Sequence, residues 1–159
     1  MKIWHMEQYP IGDRRLPHHV YPPKLYTTDQ LQAIAGVVSY KVDIDDVNAM
    51  KKRISRVKAE RKMTTTDIFT LDQNTNKFEE KLEQLYEPVA KDVDSAFLVT
   101  DGSAYYDIEI DDDDWIRINV ERGDLIIIPS GRNHRFTLTT QNKVVIQRFF
   151  GTKNLTQQG

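Results

Sequence analysis

The chain has 159 residues, enough for one domain that buries roughly 70% of the surface exposed by its unfolded form. Its 39% hydrophobic and 29% charged residues are typical of a globular protein, and its net charge of −2 predicts neither nucleic acid nor an anionic membrane as partner. There is no cysteine, which excludes disulfides and thiolate chemistry, so a metal site would have to use His, Asp or Glu.

Three helices are predicted in the first half of the chain. Thr27 and Gln30 have the spacing of a capping box at the start of the first helix, and Gly36 marks its end. The second helix is predicted from apolar residues at helical spacing: Val47, Met50, Ile54 and Val57. A third helix is predicted to begin at Asn76, with Glu79 three residues further on.

Strands are predicted for the second half, after a short β-rich stretch at 37–42. Six strands are expected at 96–100, 105–110, 115–120, 125–128, 135–139 and 144–150. Turn-forming residues separate them at 101–102, 111–114, 122–124, 129–131 and 141–142. Strands spaced by roughly ten residues with tight turns indicate an antiparallel sandwich or barrel. We therefore predict a mainly β fold with peripheral α-helices over 1–150, followed by a polar, frayed tail at 151–159.

One segment, residues 123–134, narrows this prediction to a particular barrel. It reads G-x5-P-x-G-x2-H, with Gly123, Pro129, Gly131 and His134 at the fixed positions. The glycines permit sharp turns, the proline ends a buried strand, and the histidine begins the next strand with an imidazole that can point inward. This pattern resembles the second motif of the cupin superfamily, which implies a double-stranded β-helix, or jelly-roll, barrel.

Five stretches of the chain carry a closer resemblance. They are DRRLPH at 13–18, FEEKLEQLYE at 78–87, DGSAYYD at 101–107, DWIR at 114–117 and HRFTL at 134–138. Together they resemble the acireductone dioxygenase family over the chain up to about residue 150. The resemblance implies a cupin that holds Fe or Ni in its barrel and oxidises acireductone with O₂ in methionine salvage.

The chain departs from this family at the metal site. The family's first motif reads E-H-x-H-x3-E-x-R, in which two His and the Glu bind the metal and the Arg holds the anionic substrate. Aligned without gaps across 86–102, the two His positions hold Val89 and Lys91. Ser95 stands at the Glu position and Phe97 at the Arg position.

Only His134 remains of the four expected ligands, so no cofactor is expected. Changing even an outer partner of a metal ligand typically costs ~10–100-fold in affinity, and here three direct ligands are missing. No catalytic residue is therefore predicted, and Lys91, Phe97 and His134 are candidates for a substrate or binding pocket. Asp92 and Asp94 are the nearby acids that could rebuild a metal site.

The sequence thus predicts an acireductone dioxygenase-like cupin that is catalytically inactive and binds either a small molecule or a protein partner. The alternative is an active, metal-dependent acireductone dioxygenase with an atypical site. The Lys91 side chain is predicted to enter the barrel, where Glu87, Asp92, Asp94 or a water that also contacts His134 could accept a hydrogen bond from it. The alternative is that Lys91 extends out through the barrel mouth into solvent. The opening MKIWHMEQ lacks the apolar core of a signal peptide, so we expect a cytoplasmic location, with the nucleus as a second possibility.

Overall fold

The computed structural model describes residues 1–152, so most of the predicted tail lies outside the described residues. In chain order the elements are β1 (Lys2–His5), α1 (Thr28–Ala35), β2 (Val38–Lys41), α2 (Val47–Arg61), β3 (Met63–Asp72), α3 (Phe78–Tyr86), β4 (Ser95–Asp111), β5 (Asp114–Glu121), β6 (Asp124–Ile128), β7 (His134–Leu138) and β8 (Lys143–Gly151). None of the helices within 1–152 is long and apolar enough to span a bilayer.

The first two predicted helices are confirmed, with the start of the third corrected. Thr27 and Gln30 form the reciprocal capping box of α1, and Gly36 ends this helix in the left-handed conformation. Helix α3 begins at Phe78 rather than Asn76. Lys77 is its N-cap residue and has a left-handed backbone conformation with φ 57°, and no side chain caps the helix.

The main correction concerns β4, which was predicted as two strands separated by a turn at 101–102. It is one continuous strand, and the register with β8 shifts between Val99 and Asp101 instead. The first part of β4 pairs with β6 and β8, and the second part pairs with β5 and β7. Strand β4 therefore joins the two halves of a curled antiparallel sheet.

Gly102 allows β4 to pass this bulge. Its φ is 76°, and a Cβ atom there would lie 2.1 Å from the carbonyl oxygen of Lys143 on β8. We expect Gly102→Ala to lower the free energy of unfolding by about 2–4 kcal/mol, measured by urea denaturation. Gly12→Ala is the matched control, because Gly12 also has a positive φ but nothing lies within 4 Å of its Cβ position. Equal losses in the two variants would show that the contact with Lys143 is unimportant.

The core lies on both faces of the barrel wall, which explains the continuous apolar run in β6. Ile126, Ile128 and Phe136 belong to the interior cluster, as predicted. Leu125 and Ile127 face the other way and pack with residues of α2. The α2 residues in this second cluster are Met50, Ile54 and Val57. Burial on both faces therefore removes the alternation expected of a strand that faces water on one side.

Candidate functional site

Backbone hydrogen bonds hold the segment before β4 against the start of β7. Val89 and His134 form an isolated antiparallel bridge, with N–H···O distances of 2.8 and 2.9 Å. The N–H of Gly131 donates to the carbonyl of Lys91 at 2.8 Å, and Gly131 has a φ of 81°. The motif around Gly131 thus fixes the backbone at positions 89 and 91 whatever side chains they carry.

A cavity of about 290 Å³ opens at this end of the barrel. Its walls are largely aromatic: Phe69 of β3, Phe97 and Tyr106 of β4, and Phe136 of β7. The rings pack edge to face or tilted, with Tyr106 centred 4.8 Å from Phe97 and 5.1 Å from Phe136. The end of α3 and the residues after it, 84–89, line the rest of the opening. The cavity is therefore partly enclosed, and most of its interior is apolar.

The candidate residues from the sequence are distributed unevenly around this cavity. Val89, Lys91, Phe97 and His134 all line it. Ser95 does not, although it is only 1% exposed, and its hydroxyl has no hydrogen-bond partner among the described residues. The structure thus brings together the family's two lost His positions, its lost Arg position and the remaining histidine.

His134 is held in one tautomer. Its Nδ1 lies 2.9 Å from the carbonyl oxygen of Arg132 and must carry the proton, because a carbonyl can only accept. Burial lowers the pKa of His134, and the nearby charge of Lys91 lowers it further, against the opposing effect of the Arg132 carbonyl. The imidazole is therefore neutral at pH 7, and its Nε2 carries a lone pair.

Lys91 contributes a positive charge to the cavity. Its Nζ lies 4.8 Å from the centre of the Phe150 ring, while the nearby carboxylates of Asp67 and Asp94 form their ion pairs with Arg148 and Arg61. Of the acceptors predicted for Lys91, Asp94 instead binds Arg61 and the N–H of Ser130. Asp94, one of the candidate acceptors for Lys91, therefore binds other partners.

The residues present do not fit an Fe or Ni site. Within residues 1–152, no three His, Cys, Asp or Glu side chains lie close enough to share an ion. His134 shares the cavity with the Lys91 ammonium group, which repels a cation and offers no lone pair while protonated. The other histidines are engaged elsewhere: His5 with Asp114, His18 with Glu7, and His19 in a stack on Trp4.

Sequence reasoning missed Arg148, which also lines the cavity. It is the cross-strand partner of Phe97, so a guanidinium lies on the strand next to the family's lost Arg position. Its Nε and Nη2 bind the two carboxylate oxygens of Asp67, each at 2.7 Å. The pattern of β8 contained the signal, since Val144, Ile146, Arg148 and Phe150 are alternate residues and share one face.

A buried ion network occupies the opposite face of β4. The carboxylate of Asp107 accepts from Arg117 at 2.7 and 3.0 Å and from Arg135 at 2.9 Å. Arg117 is fully buried and also donates to the carbonyls of Arg14 and Leu16. One carboxylate thus binds two guanidinium groups, which leaves one net positive charge, and the network helps to hold the N-terminal segment on the sheet.

The curled antiparallel sheet, with its cavity beside a histidine at the start of the strand after G-x5-P-x-G, defines the protein as a cupin. The ARD/ARD′ family model matches residues 2–158. "Probable inactive acireductone dioxygenase 1" of Caenorhabditis elegans is 57% identical over 159 residues, which is all of both chains. The chain belongs to the acireductone dioxygenase family.

Two further similarities agree with this assignment. The acireductone dioxygenase of Xenopus tropicalis is 34% identical over 151 residues, covering 94% of this chain and 83% of that one. A solved structure, "Acireductone dioxygenase from Bacillus anthracis with cadmium ion in active center", matches with a TM-score of 0.73 at 22% identity, over 84% of this chain and 90% of that chain. This structural similarity confirms the predicted cupin fold.

Proposed function

We propose that this chain is a non-catalytic member of the acireductone dioxygenase family that binds a small molecule in its barrel. The observation that carries the proposal is the cavity itself, which is kept while the metal-ligand positions hold Val89, Lys91 and Ser95. O₂ chemistry of the family type depends on a metal that binds the substrate and keeps open positions. A single histidine does not supply such a site.

Two observations support binding over catalysis. Phe97 stands where the family's substrate-holding Arg is expected. Its ring packs tilted against Tyr106, with the ring centres 4.8 Å apart, so it closes part of the barrel with apolar surface. The Caenorhabditis elegans relative at 57% identity carries the name "probable inactive". A small-molecule role is favoured over a protein-binding role because the candidate residues converge on a cavity rather than on an exposed surface.

Metal content and O₂ consumption test this proposal. Protein purified without an affinity tag should carry well under one equivalent of Fe, Ni, Co or Mn by elemental analysis, because three ligands are missing. It should also consume no O₂ with acireductone after incubation with Fe²⁺ or Ni²⁺. The Xenopus tropicalis acireductone dioxygenase, prepared in parallel, is the positive control. Near-stoichiometric metal that His134→Ala removes, or turnover that depends on it, would instead support an active enzyme with an atypical site.

The family implies a biological context that we also propose. Methionine salvage is the pathway of the family, and the cytoplasm, with the nucleus as second place, is the expected location. Fluorescence microscopy of a tagged chain in cells tests the location, and an exclusively secreted or organellar signal would contradict it.

A further inference from the structure

Two cationic side chains of the cavity lining contact one aromatic ring, that of Phe150, which packs against the interior cluster. Lys91 Nζ lies 4.8 Å from the centre of the Phe150 ring, and the Arg148 Cζ lies 5.6 Å from the same point. Asp67 neutralises Arg148 through Nε and Nη2, while Arg148 Nη1 makes no hydrogen bond within residues 1–152. Asp67 lies within electrostatic reach of Lys91 but forms its ion pair with Arg148. The lining also includes Glu87 and Arg135, and Arg135 shares Asp107 with Arg117. Four cations thus face three carboxylates, and one positive charge remains in excess.

An excess positive charge around an aromatic cavity favours an anionic ligand. Like charges on one ring repel each other, and an anion between them would relieve that repulsion and accept charge-assisted hydrogen bonds from both. A single excess positive charge matches a single negative charge. A dianion such as phosphate would leave one negative charge uncompensated beside Phe97, Tyr106 and Phe136, which is costly.

The shape and polarity of the cavity define the rest of the ligand. About 290 Å³ is at the lower end of small-molecule sites, which suits a molecule of roughly the size of a substituted benzene. Edges and faces of aromatic rings form most of the wall, so the body of the ligand should be apolar and compact. Because His134 Nδ1 is bound to the Arg132 carbonyl, Nε2 can accept a hydrogen bond from a ligand hydroxyl.

We infer that the barrel binds a small monocarboxylate with a compact apolar or aromatic body, its carboxylate held between Lys91 and Arg148. A hydroxyl beside the carboxylate would donate to His134 Nε2. This inference rests on the proposed function, since it names the ligand class of the same cavity. It assigns Lys91 a binding role at a position where the family has a metal-binding histidine.

Calorimetric titration of the full chain with three related probes tests the inference. The probes are 3-phenyllactate, 3-phenylpropionate, which lacks the hydroxyl, and 3-phenyl-1,2-propanediol, which lacks the charge. Phenyllactate should bind at least about 10-fold more tightly than the diol, because only the carboxylate makes charge-assisted bonds. Phenylpropionate should fall between them, as it keeps the charge and loses the bond to His134.

Substitutions of Lys91, with Lys52 as control, show whether the carboxylate of phenyllactate binds at Lys91. Lys91→Met keeps the apolar stem and removes the charge, so it should weaken phenyllactate binding about 10-fold or more and leave diol binding unchanged. Lys91→Arg should retain most of the affinity. Lys52→Met, on the exposed face of α2, is the matched control and should bind phenyllactate like the native chain. Unchanged thermal unfolding of each variant excludes a folding defect.

Three results would overturn the inference: no binding of phenyllactate at millimolar concentration, equal affinity for phenyllactate and the diol, or equal affinity of Lys91→Met and the native chain. Amide chemical-shift changes that miss Phe97, Tyr106 and Phe136 would also overturn it, because binding would then lie outside the cavity. The proposed function fails separately, through metal-dependent O₂ consumption by the native chain. Tight binding of the diol alone would overturn the inference of an anionic ligand, but it would still agree with the proposed function of non-catalytic small-molecule binding.

Discussion

The variant Val89→His/Lys91→His/Ser95→Glu is expected to bind about one equivalent of Ni²⁺ or Fe²⁺, against well under one for the native chain. With His134 this gives three His and one Glu, and the glutamate side chain, longer than that of Ser95, has to extend to the cavity that the serine does not line. The new carboxylate would replace Ser95, which is only 1% exposed, so the metal-free variant should be less stable than the native chain. Metal binding should reverse this loss, with a gain of about 4 kcal/mol when the free metal exceeds its Kd by about 1,000-fold. Elemental analysis and Tm with and without Ni²⁺ are the measurements.

The matched control carries Ser95→Gln instead of Ser95→Glu and keeps the two new histidines. The amide has nearly the same shape as the carboxylate but no negative charge, so this control should bind Ni²⁺ far more weakly. Dioxygenase activity should need Phe97→Arg in addition, because the substrate contact is separate from the metal ligands. If the triple variant folds and its Tm does not respond to Ni²⁺ or Fe²⁺, then positions 89, 91 and 95 are not the family's ligand positions.

Asp107→Asn is expected to be the most damaging single substitution for stability. It removes the negative charge that Arg117 and Arg135 share, and Arg117 is fully buried. Removing one partner of a buried ion pair costs about 3–5 kcal/mol, a large part of the roughly 5–15 kcal/mol that stabilises a typical domain. Urea denaturation at pH 7 measures the loss, and amide exchange should also accelerate around Arg14 and Leu16, whose carbonyls bind Arg117.

Asp101→Asn is the control for this prediction. Asp101 lies on the same strand and pairs with Lys143 at 2.9 Å, but both side chains are more than half exposed. Its urea midpoint should hardly change, since water and salt screen such a pair. If the two variants were equally stable, burial of the network around Asp107 would have no energetic consequence.

Local patterns predicted most of the strands, and they failed where long-range pairing decides the structure. Asp101 and Gly102 form a typical turn pair, yet β8 runs alongside and holds both residues in one continuous strand. Strand β3 was not predicted, because among its ten residues only Met63 and Leu71 are buried and no alternation is visible. It exists through its pairing with β8, which lies far away in sequence.

The candidate site, like the strands, could be predicted from the sequence only where a local pattern determines it. The spacing around His134 is a local pattern, so the barrel and its remaining ligand position were identifiable. The aromatic walls and Arg148 were not, because they come from separate strands whose register the sequence does not show. Ser95 shows the limit clearly: its position matches the family's Glu, but its hydroxyl is buried without a partner among residues 1–152 and does not line the cavity.

The backbone bonds around the cavity mouth bear on how a metal site can be lost. Val89 is held through its own N–H and carbonyl against His134, and the carbonyl of Lys91 accepts from Gly131. None of these bonds involves the side chains that would bind a metal, so each ligand can be replaced without releasing the loop. Each ligand position can therefore be substituted in turn while the protein stays folded. The barrel can be retained in evolution after its catalytic activity is lost, and it can then acquire another function.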